Sequence, residues 1–474
     1  MPKKYTVKVI PAPPRSPPIG KFVIERSEDC IKCGRCALAC IYGVHERRED
    51  DPRCIAEPIN YRCKGCFRCI QECPKEALTI RESDEYHRLG DAYWTPEIIT
   101  KNWYQAETGK IPVSGGGYTG PFTGEGFDSM WTDMSEIVRP TRDGIHGREY
   151  ISTSVVIGRK VPTLTFDACG NIAVPLPPTI SVPIPIIFNI LPFGSHERVY
   201  EAMAKAASSL GTFMLVNPDE WFDPRYTKTL VPLLTTTDPS EKLNVSPTGS
   251  AGLVKSCRMV TVDYDNEVLD TVKEVKKESP ETIIAVRVPF SDRVEEIVAE
   301  LTFGGVEVIY LYADINGRAF ESSGEPRFVK DSIQKVHGHL VDLKIRDEVT
   351  LIVSGGIALA EHVAKAILCG ADVIALDLPL LIALECRYCK NCLNGLPCPV
   401  ALKDLDPDHG TQRIVNLIGA WQNQLLEVLG AMGVREVRRL RGEVGRAIVF
   451  EDIQKETFDK VFAKEVLYHA KSRN

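Results

Sequence analysis

Residues 351–400 read LIVSGGIALAEHVAKAILCGADVIALDLPLLIALECRYCKNCLNGLPCPV, and this stretch decides the fold. An apolar run of strand type at 349–353 ends at Ser354-Gly355-Gly356. A helical pattern follows from Ala360 to Leu368, and a second apolar run covers 373–376. A strand, a helix and a second strand in this order predict two parallel strands joined by a crossover helix.

The same alternation continues toward the N-terminus of the chain. Helical patterns occupy Glu197 to Leu210 and Asp292 to Phe303. Further apolar runs of strand type lie near 182–190, 212–216, 230–235, 258–263, 283–288 and 306–312. Eight strands that alternate with helices over roughly 290 residues predict an α/β fold, a (β/α)₈ TIM-type barrel. An open doubly wound sheet is the alternative.

Composition narrows the classes of function. The 474 residues carry a net charge of −7 with no basic block, so nucleic acid is not an expected partner. The longest apolar stretch, Val174 to Phe193, contains six prolines, so no membrane-spanning helix is expected there. No apolar run of signal-peptide type follows Met1. We therefore expect a cytoplasmic protein of two or three domains.

The cysteines are bunched rather than dispersed. Of sixteen cysteines, nine lie between Cys30 and Cys73 and four lie between Cys386 and Cys398. Disulfides are typical of small domains in oxidising compartments, whereas gaps of two and three residues are typical of metal or cluster ligands. The pattern therefore predicts ligation.

The first two cysteine runs have the spacing of a two-cluster ferredoxin, in which the fourth cysteine of each run binds the other cluster. This spacing predicts two [4Fe–4S] clusters. One would be held by Cys30, Cys33, Cys36 and Cys73, and the other by Cys63, Cys66, Cys69 and Cys40. Paired zinc knuckles are the alternative. Cys54 lies between the runs, and we expect it to be a spare thiol.

These patterns divide the chain into four parts. Residues 1–20 are an extended arm, and 21–85 form a small α+β ferredoxin-like domain. Residues 86–165 are a connector, and 166–474 are the barrel with a C-terminal cluster site and a helical tail.

The order of motifs in 351–400 resembles the FMN-binding synthase domain of glutamate synthase. With the ferredoxin-like part and the connector, the chain is similar to the archaeal-type large subunit. The resemblance implies an FMN-binding barrel that receives electrons through iron–sulfur clusters for the reductive synthesis of glutamate from 2-oxoglutarate and ammonia. It also implies redox partner proteins, a ferredoxin or a flavoprotein subunit, and separate glutaminase and β-helix subunits in a hetero-oligomer.

The resemblance also implies which residues hold FMN. Loops after strands seven and eight are the usual phosphate site of such barrels. The implied residues are Pro192, Phe193, Gly194, Arg287, Ser354, Gly355, Gly356, Gly370 and Asp377. Asp377 stands where the family has a small residue, and its carboxylate would repel a phosphate unless it points away. For Gly355-Gly356 the alternative is a tight turn between strand and helix, and for Arg287 a surface ion pair.

Cys386, Cys392 and Cys398 resemble the family's three-cysteine site for a [3Fe–4S] cluster. Cys389 adds a fourth thiol, so a [4Fe–4S] cluster is also possible. The resemblance favours [3Fe–4S], with zinc as a further alternative.

These observations support two hypotheses of function, and neither assigns a catalytic residue. The first is a glutamate synthase subunit. The second is an electron-transfer subunit that has lost the 2-oxoglutarate site. The stretch from Val260 to Asp265 favours the second, because it supplies carboxylates where a dicarboxylate substrate would need cations.

Overall fold

The computed structural model describes residues 5–111, 126–132, 151–161, 163–174, 176–234, 255–320, 324–441, 443, 446–449 and 455. Its strands are β1 (Phe22–Arg26), β2 (Leu78–Glu82), β3 (Met130–Thr132), β4 (Val155–Gly158), β5 (Thr179–Val182), β6 (Ile186–Phe188), β7 (Met214–Val216), β8 (Leu230–Leu234), β9 (Met259–Asp263), β10 (Ile283–Pro289), β11 (Val308–Tyr312), β12 (Thr350–Ser354), β13 (Val373–Leu376) and β14 (Ala447–Val449).

The helices are α1 (Arg35–Ala39), α2 (Arg68–Gln71), α3 (Asp84–His87), α4 (Pro96–Thr108), α5 (Glu197–Leu210), α6 (Val268–Glu278), α7 (Val294–Phe303), α8 (Val329–Asp342), α9 (Ala360–Cys369), α10 (Leu378–Ala383) and α11 (Pro407–Ala431). Short 3₁₀ turns cover Asn60–Arg62, Gly126–Ser129, Pro224–Tyr226, Asn391–Asn394, Leu402–Asp404 and Val437–Arg439. Within the described ranges, no helix is both long and apolar enough to cross a membrane.

Strands β6 to β13 form a closed barrel of eight parallel strands, and β13 pairs with β6 to complete it. Their residues are almost all buried, as expected when one face of a sheet packs inside a barrel and the other under helices. The predicted TIM-type barrel is therefore confirmed, and the doubly wound sheet was the wrong alternative.

The helix predictions agree with the structure to within a few residues. The predicted helical tail contains α11, which begins at Pro407. The Asp406 side chain accepts the Asp408 N–H, and proline is favoured in the first turn of a helix because it needs no N–H partner there.

Residues around the first cysteine runs form a separate small unit. Strands β1 and β2 pair antiparallel, with Ile24 opposite Ile80. Its buried core is small and consists of Ile24, Val44, Cys69 and Leu78. So few apolar side chains give little stabilisation, and bound clusters would add to it.

The N-terminal arm lies along α11 and α4. Asn416 accepts the Ile10 N–H and donates to the Ile10 carbonyl. Arg413 donates to the Ala12 carbonyl, and the buried Glu385 carboxylate accepts the N–H groups of Arg15 and Ser16. The arm thereby fastens the cysteine-rich unit to the barrel.

A buried ion pair closes the N-terminal end of the barrel. Arg346 and Asp372 are 2.8 Å apart, and Asp372 also accepts the Leu351 N–H. Burial opposes ionisation of Asp372, but the nearby Arg346 and Arg441 outweigh it and keep the pKa of this carboxyl below its ordinary value. The ion pair therefore contributes stability at neutral pH, which is lost as the pH falls below about 4.

Replacing Arg346 with methionine is expected to destabilise the barrel by about 3–5 kcal/mol, because Asp372 would be left buried without its main partner. In the variant the pKa of Asp372 should rise, so the loss should be larger at pH 7 than near pH 4. Thermal unfolding and hydrogen exchange at β12 measure the effect. Arg438→Met, at an exposed pair with Glu436, is the control and should change stability little. Equal effects of the two variants would contradict the prediction.

Candidate metal centres and barrel mouth

The first two cysteine runs meet at two separate cavities. One cavity has a volume of about 300 Å³, including the part open to solvent, and is lined by Cys30, Cys33, Cys36 and Cys73. The other, of about 330 Å³, is lined by Cys40, Cys63, Cys66 and Cys69. The fourth cysteine of each run thus lies with the other run. In the structure, the four cysteines that the sequence spacing assigns to each cluster therefore lie around one cavity.

Backbone N–H groups point at the sulfur atoms of these cavities. The N–H groups of Val44, Gly65 and Ala77 donate to the sulfurs of Cys40, Cys63 and Cys73 at 3.3–3.5 Å. Such donors favour the thiolate form, the form that binds metal. Burial works in the other direction and raises the pKa of Cys69 to about 11. Without metal this thiol holds its proton at neutral pH, and cluster binding must release it.

The third cysteine loop follows strand eight of the barrel. Cys386 is buried, whereas Cys389 and Cys392 are exposed and Cys398 is half-buried. Burial raises the pKa of Cys386 to about 12, and the nearby charges of the other three cysteines add to this rise. All four cysteines belong to one loop, residues 386–398, which follows strand eight.

No three Cys, His, Asp or Glu side chains in the described part of the chain are arranged as ligands of a single metal ion. An iron–sulfur cluster makes a different demand, since each thiolate binds its own iron atom around a shared core. Four thiols that surround a cavity, with N–H donors to sulfur, fit that demand.

The third cysteine loop lies between the connector and the first barrel strand. Lys390 of this loop forms an ion pair with Asp91, with nitrogen and oxygen 3.2 Å apart. The Tyr388 ring lies 6.2 Å from the Trp94 ring on one side and stacks at 6.0 Å on Phe193 on the other. The loop therefore joins the connector to the barrel mouth, the end at which the parallel strands terminate.

Ser354, Gly355 and Gly356 lie at the barrel mouth after β12. Both glycines have left-handed backbones, with φ of 99° and 68°. A side chain at Gly355 would come within 2.8 Å of Ala313, and Tyr93 donates a hydrogen bond to the Gly356 carbonyl. Packing against these neighbours accounts for the glycine pair, in agreement with the tight-turn alternative.

Asp377 lies directly after β13 and caps α10. Its carboxylate accepts the Leu378 N–H at 2.6 Å and the Asn189 amide at 3.3 Å. Pro379 has no N–H, and the Leu380 N–H donates to the Asp377 carbonyl. Burial raises the pKa of Asp377. The start of this short helix, the usual phosphate position of such barrels, is therefore filled by the chain's own side chain.

Gly370 is not part of the barrel mouth. It lies between α9 and β13, at the N-terminal end of the strand, where a side chain would come within 2.4 Å of His337. The structure therefore places Gly370 at the end of the barrel opposite the mouth, and its contact with a cofactor stays a prediction.

Arg287 lies on β10 and faces the barrel mouth. Its guanidinium forms an ion pair with Asp263 at 3.3 Å and lies 3.9 Å from the centre of the Tyr312 ring. Arg287 is thus in an ion pair, as one alternative expected, but only about a fifth of its side chain is exposed. The loop after β6 contains the other predicted cofactor residues. Phe193 is buried, Pro192 is exposed, and Gly194 has a left-handed backbone with φ of 68°.

Among the described residues, buried polar atoms at the mouth without a hydrogen-bond partner include Nε of Arg287 and Oδ1 of Asn189. Buried polar groups are normally satisfied, so these two atoms are candidates for contact with a bound molecule. Sequence patterns did not single out Asn189; its only signal was a polar residue directly after the apolar strand β6.

The protein has a closed parallel barrel, a cysteine loop after its eighth strand, and two further cysteine cavities in the N-terminal unit. These features define a class of β/α-barrel protein with thiol sites suited to redox cofactors. Comparison with known proteins shows what the chain is similar to. Residues 254–435 match the family model described as the conserved region in glutamate synthase.

Relatives align along most of the chain. The archaeal-type glutamate synthase [NADPH] of Dehalococcoides mccartyi is 25% identical over 482 residues, covering 89% of this chain and 94% of that protein. The archaeal glutamate synthase [NADPH] of Archaeoglobus fulgidus is 27% identical over 499 residues, covering 91% and 95%. A mandelate oxidase structure with an FMN adduct gives a TM-score of 0.40 at 14% identity, covering 64% of this chain and 90% of that one.

The chain contains a glutamate synthase domain, and along 89–91% of its length its homologues are archaeal-type glutamate synthases. The resemblance inferred from the motif order is thereby confirmed.

Proposed function

We propose that this protein is a glutamate-synthase-like iron–sulfur flavoprotein oxidoreductase that carries electrons to the mouth of its barrel. The observation that carries the proposal is the placement of twelve cysteines in three groups of four, the third of which touches both the connector and the mouth. Three thiol groups in this arrangement suit a chain of one-electron carriers.

Two [4Fe–4S] clusters would be held by the two N-terminal quartets, and a third cluster by the loop that begins at Cys386. When bound, such clusters supply one-electron transfer. The chain's own residues supply thiolates, N–H donors to sulfur, and partial shielding from water. Exposed Cys33 and Cys66 place both N-terminal cavities at the surface, where a ferredoxin or flavoprotein partner could approach. Reduced thiols of this kind agree with the proposed cytoplasmic location.

FMN is proposed as the cofactor at the barrel mouth, where it would exchange electron pairs for single electrons. Its ring system fits the mouth better than its phosphate does. Among the described residues, Asn189 and Arg287 each offer a buried polar atom without a hydrogen-bond partner. At the usual phosphate position after strands seven and eight, the Asp377 carboxylate accepts the Leu378 N–H, so FMN binding there would be weakened.

Two reactions remain candidates for the mouth. Homology favours the reductive synthesis of glutamate from 2-oxoglutarate and ammonia, with separate glutaminase and β-helix subunits. The pairing of Arg287 with Asp263 favours an electron-transfer subunit, because it neutralises a cation that could otherwise anchor a dicarboxylate.

The test uses the full chain, purified anaerobically, with reduced ferredoxin as electron donor and with ammonium and 2-oxoglutarate. Glutamate formation would establish the synthase. Reduction of the clusters and of added FMN without glutamate would establish the electron-transfer subunit. Protein that holds zinc in place of iron, or clusters that ferredoxin does not reduce, would overturn the proposal.

A further inference from the structure

The three cysteine loops of this protein share one backbone conformation. In each loop the second cysteine, which we call the middle cysteine (Cys33, Cys66 or Cys389), is flanked by two residues with left-handed backbones. The φ values are 57° and 78° at Lys32 and Gly34, 65° and 59° at Gly65 and Phe67, and 51° and 58° at Tyr388 and Lys390. The loop that begins at Cys386 therefore repeats the geometry of the two N-terminal loops, although its sequence uses no glycine at these positions.

The agreement extends to the residues after the middle cysteine. A short helical turn begins two residues later in each loop, at Arg35, Arg68 and Asn391. Its second residue is the third cysteine of the loop, Cys36, Cys69 or Cys392. The middle cysteines, Cys33, Cys66 and Cys389, are all exposed.

A sulfur contact is also repeated. The Gly65 N–H donates to the Cys63 sulfur at 3.5 Å, and the Tyr388 N–H donates to the Cys386 sulfur at 3.5 Å. In both loops the donor lies two residues after the first cysteine. Left-handed residues curl the chain so that successive N–H groups face one concave side, an arrangement that recurs at iron–sulfur sites.

The source of the fourth thiol differs between the loops for a structural reason. In the N-terminal runs the fourth cysteine lies four residues after the third and serves the other cavity. After Cys392 the chain turns back at Gly395, where φ is 67°, and the Leu396 N–H donates to the Asn391 carbonyl. This reversal returns Cys398 to its own loop, where the Asn391 side chain donates to the carbonyl of the preceding residue, Pro397, at 3.2 Å.

We infer that the third loop binds a four-iron [4Fe–4S] cluster with Cys389 as a ligand beside Cys386, Cys392 and Cys398, instead of the three-iron cluster that the family resemblance implies. Each of the four thiols gives up its proton on binding, and each thiolate binds one iron atom. The inference rests on the proposed function only in requiring that the loop holds iron and sulfide.

Electron paramagnetic resonance of the anaerobically prepared full chain tests the inference. A [3Fe–4S] cluster is paramagnetic when oxidised, whereas a [4Fe–4S] cluster of ferredoxin type is silent when oxidised and paramagnetic when reduced. The oxidised wild-type protein should show no three-iron signal. Cys389→Ala should create that signal and remove one iron atom per chain by native mass spectrometry. Added ferrous iron and reductant should not convert the variant cluster to the four-iron form.

Two control variants separate the outcomes. Cys54→Ala, at a thiol that lines neither N-terminal cavity, should leave all signals unchanged. Cys392→Ala should remove the third cluster altogether. A three-iron signal in the oxidised wild type that Cys389→Ala leaves unchanged would overturn the inference, as would zinc in this loop beside intact N-terminal clusters. Both of those results leave the N-terminal clusters of the proposed function standing, whereas a protein without any iron would end that proposal itself.

Discussion

Replacing Asp377 with glycine is expected to tighten FMN binding by at least about tenfold. In the wild type the carboxylate accepts the Leu378 N–H at the start of α10 and places a titratable acid where a phosphate would bind. Removing it frees that N–H for the phosphate. A hydrogen bond to a charged group contributes about 1.5–3 kcal/mol, and 1.4 kcal/mol corresponds to a factor of ten. Quenching of flavin fluorescence on titration with protein measures the affinity.

Two controls separate the role of charge from that of the N–H donor. Asp377→Asn removes the negative charge but keeps a good helix cap, so it should improve FMN binding less than glycine does. Riboflavin has no phosphate and should bind the wild type and both variants equally well. Strong FMN binding by the wild type that Asp377→Gly leaves unchanged would show that the phosphate lies elsewhere in the mouth.

Replacing Cys63 with alanine is expected to remove one N-terminal cluster and to reduce electron transfer from ferredoxin to the barrel to the background rate. The cavity that Cys63 shares with Cys40, Cys66 and Cys69 offers four thiols, and an intact four-iron cluster needs all four. Iron content, visible absorbance and the rate of flavin reduction measure the loss. The small core of this unit should also become more accessible to protease, since Cys69 is one of its four buried members.

Cys54→Ala is the matched control, because Cys54 lies in the same segment but its thiol donates to Asp51 and lines neither cavity. It should keep full iron content and full electron transfer. If Cys54→Ala lost a cluster and Cys63→Ala kept one, the assignment of ligands in this unit would be wrong.

Sequence periodicity and cysteine spacing predicted the parts of this protein that depend on local chemistry. Barrel strands are short apolar runs because both faces are buried, and this signal is visible without a structure. The exchange of Cys40 and Cys73 between cavities also follows from spacing, since a three-residue gap directs the last thiol away from its own loop. The fold and the grouping of the N-terminal thiols were accessible for this reason.

Other features depend on contacts between distant parts of the chain, and spacing carries no information on them. The sequence could not show that Tyr93 and Trp94 reach the barrel mouth, because their partners Gly356 and Ile315 lie more than 200 positions away. It also could not show that Asp377 points at its own helix. Nor could it show that Gly370 lies against His337, at the end of the barrel opposite the mouth.

The N-terminal arm sets a limit on how this protein can be recombined. Arg15 and Ser16 give their N–H groups to Glu385, the residue directly before the first cysteine of the third loop. A barrel transplanted without the arm would therefore carry a buried acid beside Cys386 that has lost two N–H donors and its ion pair with Arg15. Recombination that separates the gene segment for the N-terminal part from that for the barrel is thus disfavoured, and the two segments are expected to be inherited together.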